Sequence, residues 1–202
     1  MAVNEKVKII GLTGMSGAGK STACKVFKSE GFAIIDCDLI CRKIVEKGKS
    51  CLLEISEVFG DSVLKEDGSL DRAETGRIIF SDDEKRDLLN GIMYPYVSYI
   101  VIKTIIGIDN GYVVLDAPTL FESGIYSICD SIVSIVADRE VLLSRIEDRD
   151  SISREQAENR LASQHDNGYF SERSDHLIAN NGSSEEFFCN IVKTIKKIKE
   201  GK

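Results

Sequence analysis

The sequence predicts an α/β fold built on a parallel sheet, and three observations carry that expectation. Short β-rich runs alternate with helical patterns, as they do when crossover helices join parallel strands. Most of those runs are continuously apolar, which suits strands covered on both faces. A glycine-rich loop follows the first run and opens a helix, giving a strand–loop–helix order.

In chain order the strands are expected at Val7 to Thr13, Phe32 to Asp36, Tyr112 to Asp116, Ser131 to Val136 and His176 to Ala179. Helix starts are marked by a capping oxygen followed three residues later by Glu or Gln: Asp71 with Glu74, Ser81 with Glu84, Ser153 with Gln156, and Ser183 with Glu186. The last helix ends in Lys193, Lys196, Lys197 and Lys199, which suits the negative end of its dipole. Asp36 and Tyr112 stand much further apart in the chain than the roughly dozen residues one crossover needs. Additional helical structure is therefore expected there. The division that follows is a core of residues 1–38 and 112–202 with a helical insertion at 39–111, set over the carboxyl ends of the strands.

The chain has 202 residues, 43% hydrophobic and 29% charged, an ordinary globular balance. Its formal charge of −7 argues against a nucleic-acid or membrane-surface binder, so any anionic ligand must be held by local cations. Six cysteines without a Cys-x-x-Cys pair point to a reduced, cytoplasmic protein in which each thiol is a small buried hydrophobe. Val7 to Leu12 runs into the glycine-rich loop and does not read as a signal peptide, and Tyr99 to Ile108, interrupted by Lys103, is shorter than the ~20 residues a membrane span needs. No membrane segment is expected.

Gly14-Met15-Ser16-Gly17-Ala18-Gly19-Lys20-Ser21 has the Walker A spacing. Its glycines let backbone N–H groups close round phosphates, and the following helix adds its positive end. Lys20 then bridges the β- and γ-phosphates and the Ser21 hydroxyl ligates Mg²⁺. Nucleotide switching and phosphoryl transfer both remain open on this motif alone.

Asp36 and Asp38 stand two apart at the end of an extended run, so both leave the same face if the strand persists. In a kinase reading Asp38 is the general base and Asp36 holds a water of the Mg²⁺ shell; in the plainer reading Asp38 caps a helix beginning at Leu39. Arg42, four residues after Asp38, either reaches an acceptor phosphate or pairs with Asp38. Asp116 ends a strand and is a second candidate for assisting Mg²⁺ through water.

Together these segments resemble the dephospho-coenzyme A kinase family. The resemblance rests on Ile10 to Ser21, Ile35 to Arg42, Phe59-Gly60, Asp67 to Arg72, Ala117-Pro118-Thr119-Leu120-Phe121-Glu122, Arg145, Arg149, Arg160 to Gln164 and Ser174 to Asn180. Where the family has His-Pro in the insertion this chain has Tyr94-Pro95, and Thr119 replaces a leucine. The likeness implies a three-layer P-loop NTPase core with five parallel strands, a helical substrate-binding insertion and a lid at about 145–172. It implies transfer of the γ-phosphoryl group of ATP to the ribose 3′-hydroxyl of dephospho-CoA, the last step of coenzyme A synthesis, with Mg²⁺ as cofactor. ATP contacts then fall to Gly14, Ser16, Gly17, Ala18, Gly19, Lys20, Ser21, Thr22, Arg145, Arg149 and Asn180, the last near the adenine. Acceptor contacts fall to Asp36, Asp38, Arg42, Arg72, Tyr94, Pro118 and Leu120. Asp38, Lys20 and Arg145 are the catalytic set.

Arg139, Arg145, Arg149, Arg154, Arg160 and Arg173 gather positive charge around the lid, where arginines clamp developing phosphoryl charge. Arg139 and Arg154 are better read as solvated charges paired with nearby acids, and His165 and His176 as structural histidines. The expected partners are ATP and dephospho-CoA, with no nucleic acid or membrane, for a monomeric protein. The competing readings are another P-loop kinase acting on a small nucleoside-type molecule, and a nucleotide-dependent regulatory binder.

Overall fold

The computed structural model describes residues 7–80 and 82–201, apart from the Phe80 side chain. The described residues form two compact units, one made by Asp36–Ile108 and the other by residues 7–35 together with 109–201.

The strands are β1 (Val7–Gly14), β2 (Ala33–Asp36), β3 (Gly111–Asp116), β4 (Ser131–Val136) and β5 (His176–Ala179). The helices are α1 (Lys20–Ser29), α2 (Cys37–Ile44), α3 (Ser50–Phe59), α4 (Arg72–Phe80), α5 (Asp83–Ile106), α6 (Arg139–Asp150), α7 (Arg154–Ala162), α8 (Asn167–Arg173) and α9 (Ser184–Lys199). The five strands lie where the apolar runs predict them and make one parallel sheet in the order β2-β3-β1-β4-β5, with helices on both sides.

The register explains why the ligand end is where it is. Leu12 of β1 lies opposite Asp116 of β3 and Val133 of β4, and Gly14 lies opposite Ile135. β1 therefore delivers its loop at the carboxyl edge of the sheet, between neighbours reached by crossovers on opposite sides, a switch point at which such sheets leave a crevice. The core below is continuous. α1 buries Ala23, Val26 and Phe27, and α9 buries Phe187, Ile191 and Ile195 at helical spacing. Phe27 meets Phe32 edge-on at 5.1 Å, and Phe32 reaches the Tyr112 ring at 4.9 Å.

Local signals set the helix starts. Ser153 and Gln156 make a full capping box on α7, and Ser183 Oγ accepts from the Glu186 N–H at 3.2 Å on α9. Asp71 Oδ1 accepts from the N–H groups of Ala73 and Glu74, each at 3.0 Å. The expected Ser81 cap lies outside the described residues; α5 is capped by Asp82, whose Oδ1 accepts from the Lys85 N–H at 3.1 Å.

The other unit is helical. Its longest helix, α5, buries Leu89, Ile92, Val97, Val101 and Ile105 and packs against α2, α3 and α4. The apolar segment beginning at Tyr99 is thus the tail of a 24-residue helix. Among the described helices α5 alone has the length and composition to cross a membrane.

All six cysteines are without disulfides. Cys37 and Cys51 are buried and Cys24, Cys41 and Cys129 half-buried, but Cys189 is exposed, against the expectation of a buried thiol at every position. Burial pushes the Cys129 thiol up to about 12 and the Cys51 thiol up to about 11.

Candidate active site

The loop after β1 needs its glycines for reasons of space. Gly14 has φ 144°, and a Cβ there would stand 2.3 Å from the Ile135 carbonyl oxygen; at Gly19, with φ 105°, it would stand 2.5 Å from Asn180 Nδ2. No other residue type fits either position without displacing backbone or a buried amide. The Ala18 N–H donates to the Met15 carbonyl at 3.1 Å and tightens the turn, with Ala18 itself fully buried. Gly19 is the N-cap of α1 and supplies no side-chain cap, so the amides at that helix end are suited to an anion. Ser21 and Thr22 are exposed on the first turn.

Lys20 pairs with Asp116 at the carboxyl end of β3, each side chain 15% exposed. The parallel register that sets Leu12 opposite Asp116 brings them together. Thr13 Oγ1 donates to the Pro118 carbonyl at 3.1 Å and ties down the segment after β3. Leu120, expected to face the acceptor, is instead fully buried: a Cβ on Gly11 would stand 2.7 Å from its Cδ2. An aliphatic side chain with no exposed surface packs the loop and offers nothing to a ligand.

The segment from α6 to α8 encloses the loop. Arg149 Nη2 donates to Ser16 Oγ at 3.1 Å, Arg145 Nη1 to the Gly17 carbonyl at 3.4 Å, and the Ser16 N–H donates to Gln164 Oε1 at 2.8 Å. Asp150 organises two of these arginines, taking both Arg149 Nε and Nη2 at 2.8 Å and pairing also with Arg160. The hydrogen bonds from Arg149 hold the Asp150 carboxyl below its usual range, with Arg160 adding to the effect. Arg154 faces away from this task, pairing with Glu140, Glu147 and Glu158. Gln164 and Asp150 were not among the expected site residues; Gln164 was visible only as the end of the Arg160 to Gln164 pattern.

Asn180 supports the loop from below. Its Nδ2 donates to the Ala18 carbonyl at 2.8 Å and its Oδ1 accepts from Arg145 at 3.4 Å, with the residue 7% exposed. Asn180→Ala would leave a buried carbonyl unpaired, and is expected to lower stability by ~1–3 kcal/mol and weaken ATP binding, measured by urea denaturation and equilibrium titration. Nearby, His165 has one local and one distant partner: it stacks on Tyr169, four residues on, at 3.6 Å and lies 3.2 Å from Glu122. Burial lowers the pKa of His176.

The remaining candidates belong to the helical unit. β2 ends at Asp36, whose Oδ1 accepts from the Leu39 N–H at 2.8 Å. Asp36, not Asp38, is therefore the N-cap, and Asp38 sits within the first turn of α2. Because the strand stops before Asp38, the alternation that would put both carboxylates on one face does not operate. Arg42 follows one turn along α2 and makes no ion pair among the described residues. Arg72 opens α4, exposed, and Tyr94 is half-buried on α5. Arg42 and Arg72 line a common groove of about 720 Å³.

For a divalent cation, the oxygen donors in the unit that carries the phosphate loop are the Ser21 hydroxyl and the carboxylate of Asp116. Among the described residues no three acidic, His or Cys side chains gather as a self-sufficient cage. That set fits Mg²⁺, which keeps several waters and is held by one or two protein ligands with substrate phosphates.

Comparison with known proteins agrees with this geometry. The sequence model of the dephospho-CoA kinase family matches residues 8–186. A dephospho-CoA kinase of Fusobacterium nucleatum is 38% identical over 95% of this chain and 99% of its own, and one of Oryza sativa is 32% identical over 96% and 86%. Among solved structures, a dephospho-CoA kinase from Campylobacter jejuni superposes with TM-score 0.71 at 29% identity, covering 96% of this chain and 98% of its own. A shikimate kinase from Bacteroides thetaiotaomicron, at TM-score 0.55 and 14% identity over 95% and 98%, shares the fold. With its phosphate loop, its five-stranded parallel core and a family match over nearly the whole chain, this protein belongs to the dephospho-CoA kinase family.

Proposed function

We propose that the chain transfers the γ-phosphoryl group of ATP to the ribose 3′-hydroxyl of dephospho-CoA, giving CoA and ADP. Membership of the family makes it an ATP-dependent kinase. The observation that carries the acceptor is the family match from residue 8 to 186, which takes in both the phosphate loop and the whole helical unit.

In this reading the amides of Gly14 to Thr22 cradle the phosphates and Lys20 holds the β- and γ-oxygens. Arg145 and Arg149 neutralise charge on the transferring group, carried by a lid at about 145–172 that already contacts the loop through Ser16 and Gly17. Asn180 acts on the nucleotide site through the Ala18 carbonyl. Asp38 orients the acceptor hydroxyl and accepts its proton as the new P–O bond forms. Asp36, Arg42, Arg72, Tyr94 and the Pro118 segment position the acceptor. Mg²⁺, held by Ser21 and through water by Asp36 and Asp116, would neutralise phosphate charge when bound. The six thiols fit a reducing, cytoplasmic setting, with the protein acting as a monomer at the end of coenzyme A synthesis.

A coupled assay of ADP release over a panel of acceptors tests this. Release dependent on dephospho-CoA, and at background with shikimate, adenosine or no acceptor, is the expected result. Preference for another alcohol would move the protein to a different substrate.

A further inference from the structure

The short junction between α7 and α8 makes two separate attachments in successive residues. Gln164 is tied to the phosphate loop: its Oε1 accepts from the Ser16 N–H at 2.8 Å while its Nε2 donates to the Arg160 carbonyl at 3.0 Å. Both ends of that amide are therefore used. His165 is tied to different neighbours. Its Nε2 lies 3.2 Å from Glu122 Oε1, and its ring stacks on Tyr169 with centroids 3.6 Å apart and planes within 8°.

Both partners of His165 are themselves held. Asp166 Oδ1 caps α8 by accepting the Tyr169 N–H at 2.9 Å, and Asn167 Nδ2 donates to the Ala137 carbonyl beyond β4 at 2.9 Å. The Tyr169 ring also carries the Arg173 guanidinium at 4.1 Å and meets Phe121 edge-on at 5.7 Å. Burial, with the Glu122 charge adding to it, raises the pKa of Tyr169. Glu122 sits in a turn closed by Ser123 N–H to Thr119 carbonyl and Gly124 N–H to Phe121 carbonyl bonds, each of 3.1 Å, and anchored by the fully buried Leu120.

The side chains of His165 and Glu122 are 46% and 35% exposed, and an ion pair that open contributes little to stability. Its consequence is local. α7 ends at Ala162 and α8 begins at Asn167, so Gln164 and His165 lie outside both helices and their position depends on these side-chain contacts. We propose that His165, clamped by Glu122 and Tyr169, is a positioning residue for phosphoryl transfer that holds Gln164 on Ser16. The Ser16 hydroxyl takes Arg149 Nη2 at 3.1 Å, so the same contact keeps Arg149 on the loop. Loosening the junction displaces a cation that neutralises the transferring group and leaves Lys20 and the loop amides in place, which costs turnover rather than ATP affinity. The inference rests on the kinase reading above.

The test compares wild type with His165→Ala, Gln164→Ala, their double variant and His165→Gln, each checked for folding by thermal melting. His165→Ala should lower kcat about tenfold, with the Kd for ATP and the KM for dephospho-CoA within about twofold and an unchanged melting temperature. His165→Gln, which keeps an N–H donor of similar reach, should recover most of that loss. Because His165 acts through Gln164, adding His165→Ala to Gln164→Ala should cost nothing more. Should His165→Ala not fold, Glu122→Ala carries the same comparison from the other side of the clamp. Undiminished kcat in the folded single variant, or losses that multiply in the double variant, would overturn the clamp alone. No ADP release by the wild type with dephospho-CoA would overturn the functional reading instead.

Discussion

An Asp38→Asn variant is expected to lose roughly 10²–10⁴-fold in kcat while keeping its affinity for ATP, the range over which a positioned general base contributes. The substitution is close to isosteric and removes the proton acceptor. It also leaves the helix cap intact, because the Leu39 N–H is taken by Asp36. The complementary Asp36→Ala variant should destabilise the start of α2 by ~1 kcal/mol. The two carboxylates therefore separate: loss of turnover without loss of stability at position 38, and a measurable fall in unfolding free energy at position 36. Full turnover in a folded Asp38→Asn protein would remove Asp38 as the base.

Lys20→Ala should reduce kcat/KM for ATP by at least about 10²–10³-fold, since it deletes a charged donor aimed at the β- and γ-phosphates. It also strips Asp116 of its partner in a site where both side chains are mostly buried. Such a carboxylate is costly to leave unpaired, so thermal melting must accompany the kinetics. Lys20→Arg keeps a cation beside Asp116 but replaces a compact ammonium with a planar fork, and should fold normally while remaining strongly impaired. Near-normal turnover in either variant would contradict the role given to the loop.

The framework was legible because its signals are local. Strands buried on both faces read as unbroken apolar runs, the Walker spacing fixes two glycines and a lysine, and Ser153 with Gln156 writes its capping box in four residues. What was missed depends on contacts distant in sequence. Asp36 and Asp38 both suit an N-cap, and the choice falls to where β2 stops. Leu120 looks like a loop residue until Gly11, more than a hundred residues earlier, opens the space that buries it. Asn180 braces Ala18 across 162 positions, and Gln164 reaches Ser16 across 148.

The most direct test of phosphoryl transfer to the ribose is product analysis: purified protein, Mg²⁺, ATP and dephospho-CoA are incubated and the product is mapped by phosphorus–proton correlation NMR. A new phosphate on the ribose 3′-oxygen, formed one for one with ADP, is the predicted result. A phosphate at any other position, or ADP formed while the acceptor stays unchanged, would contradict it.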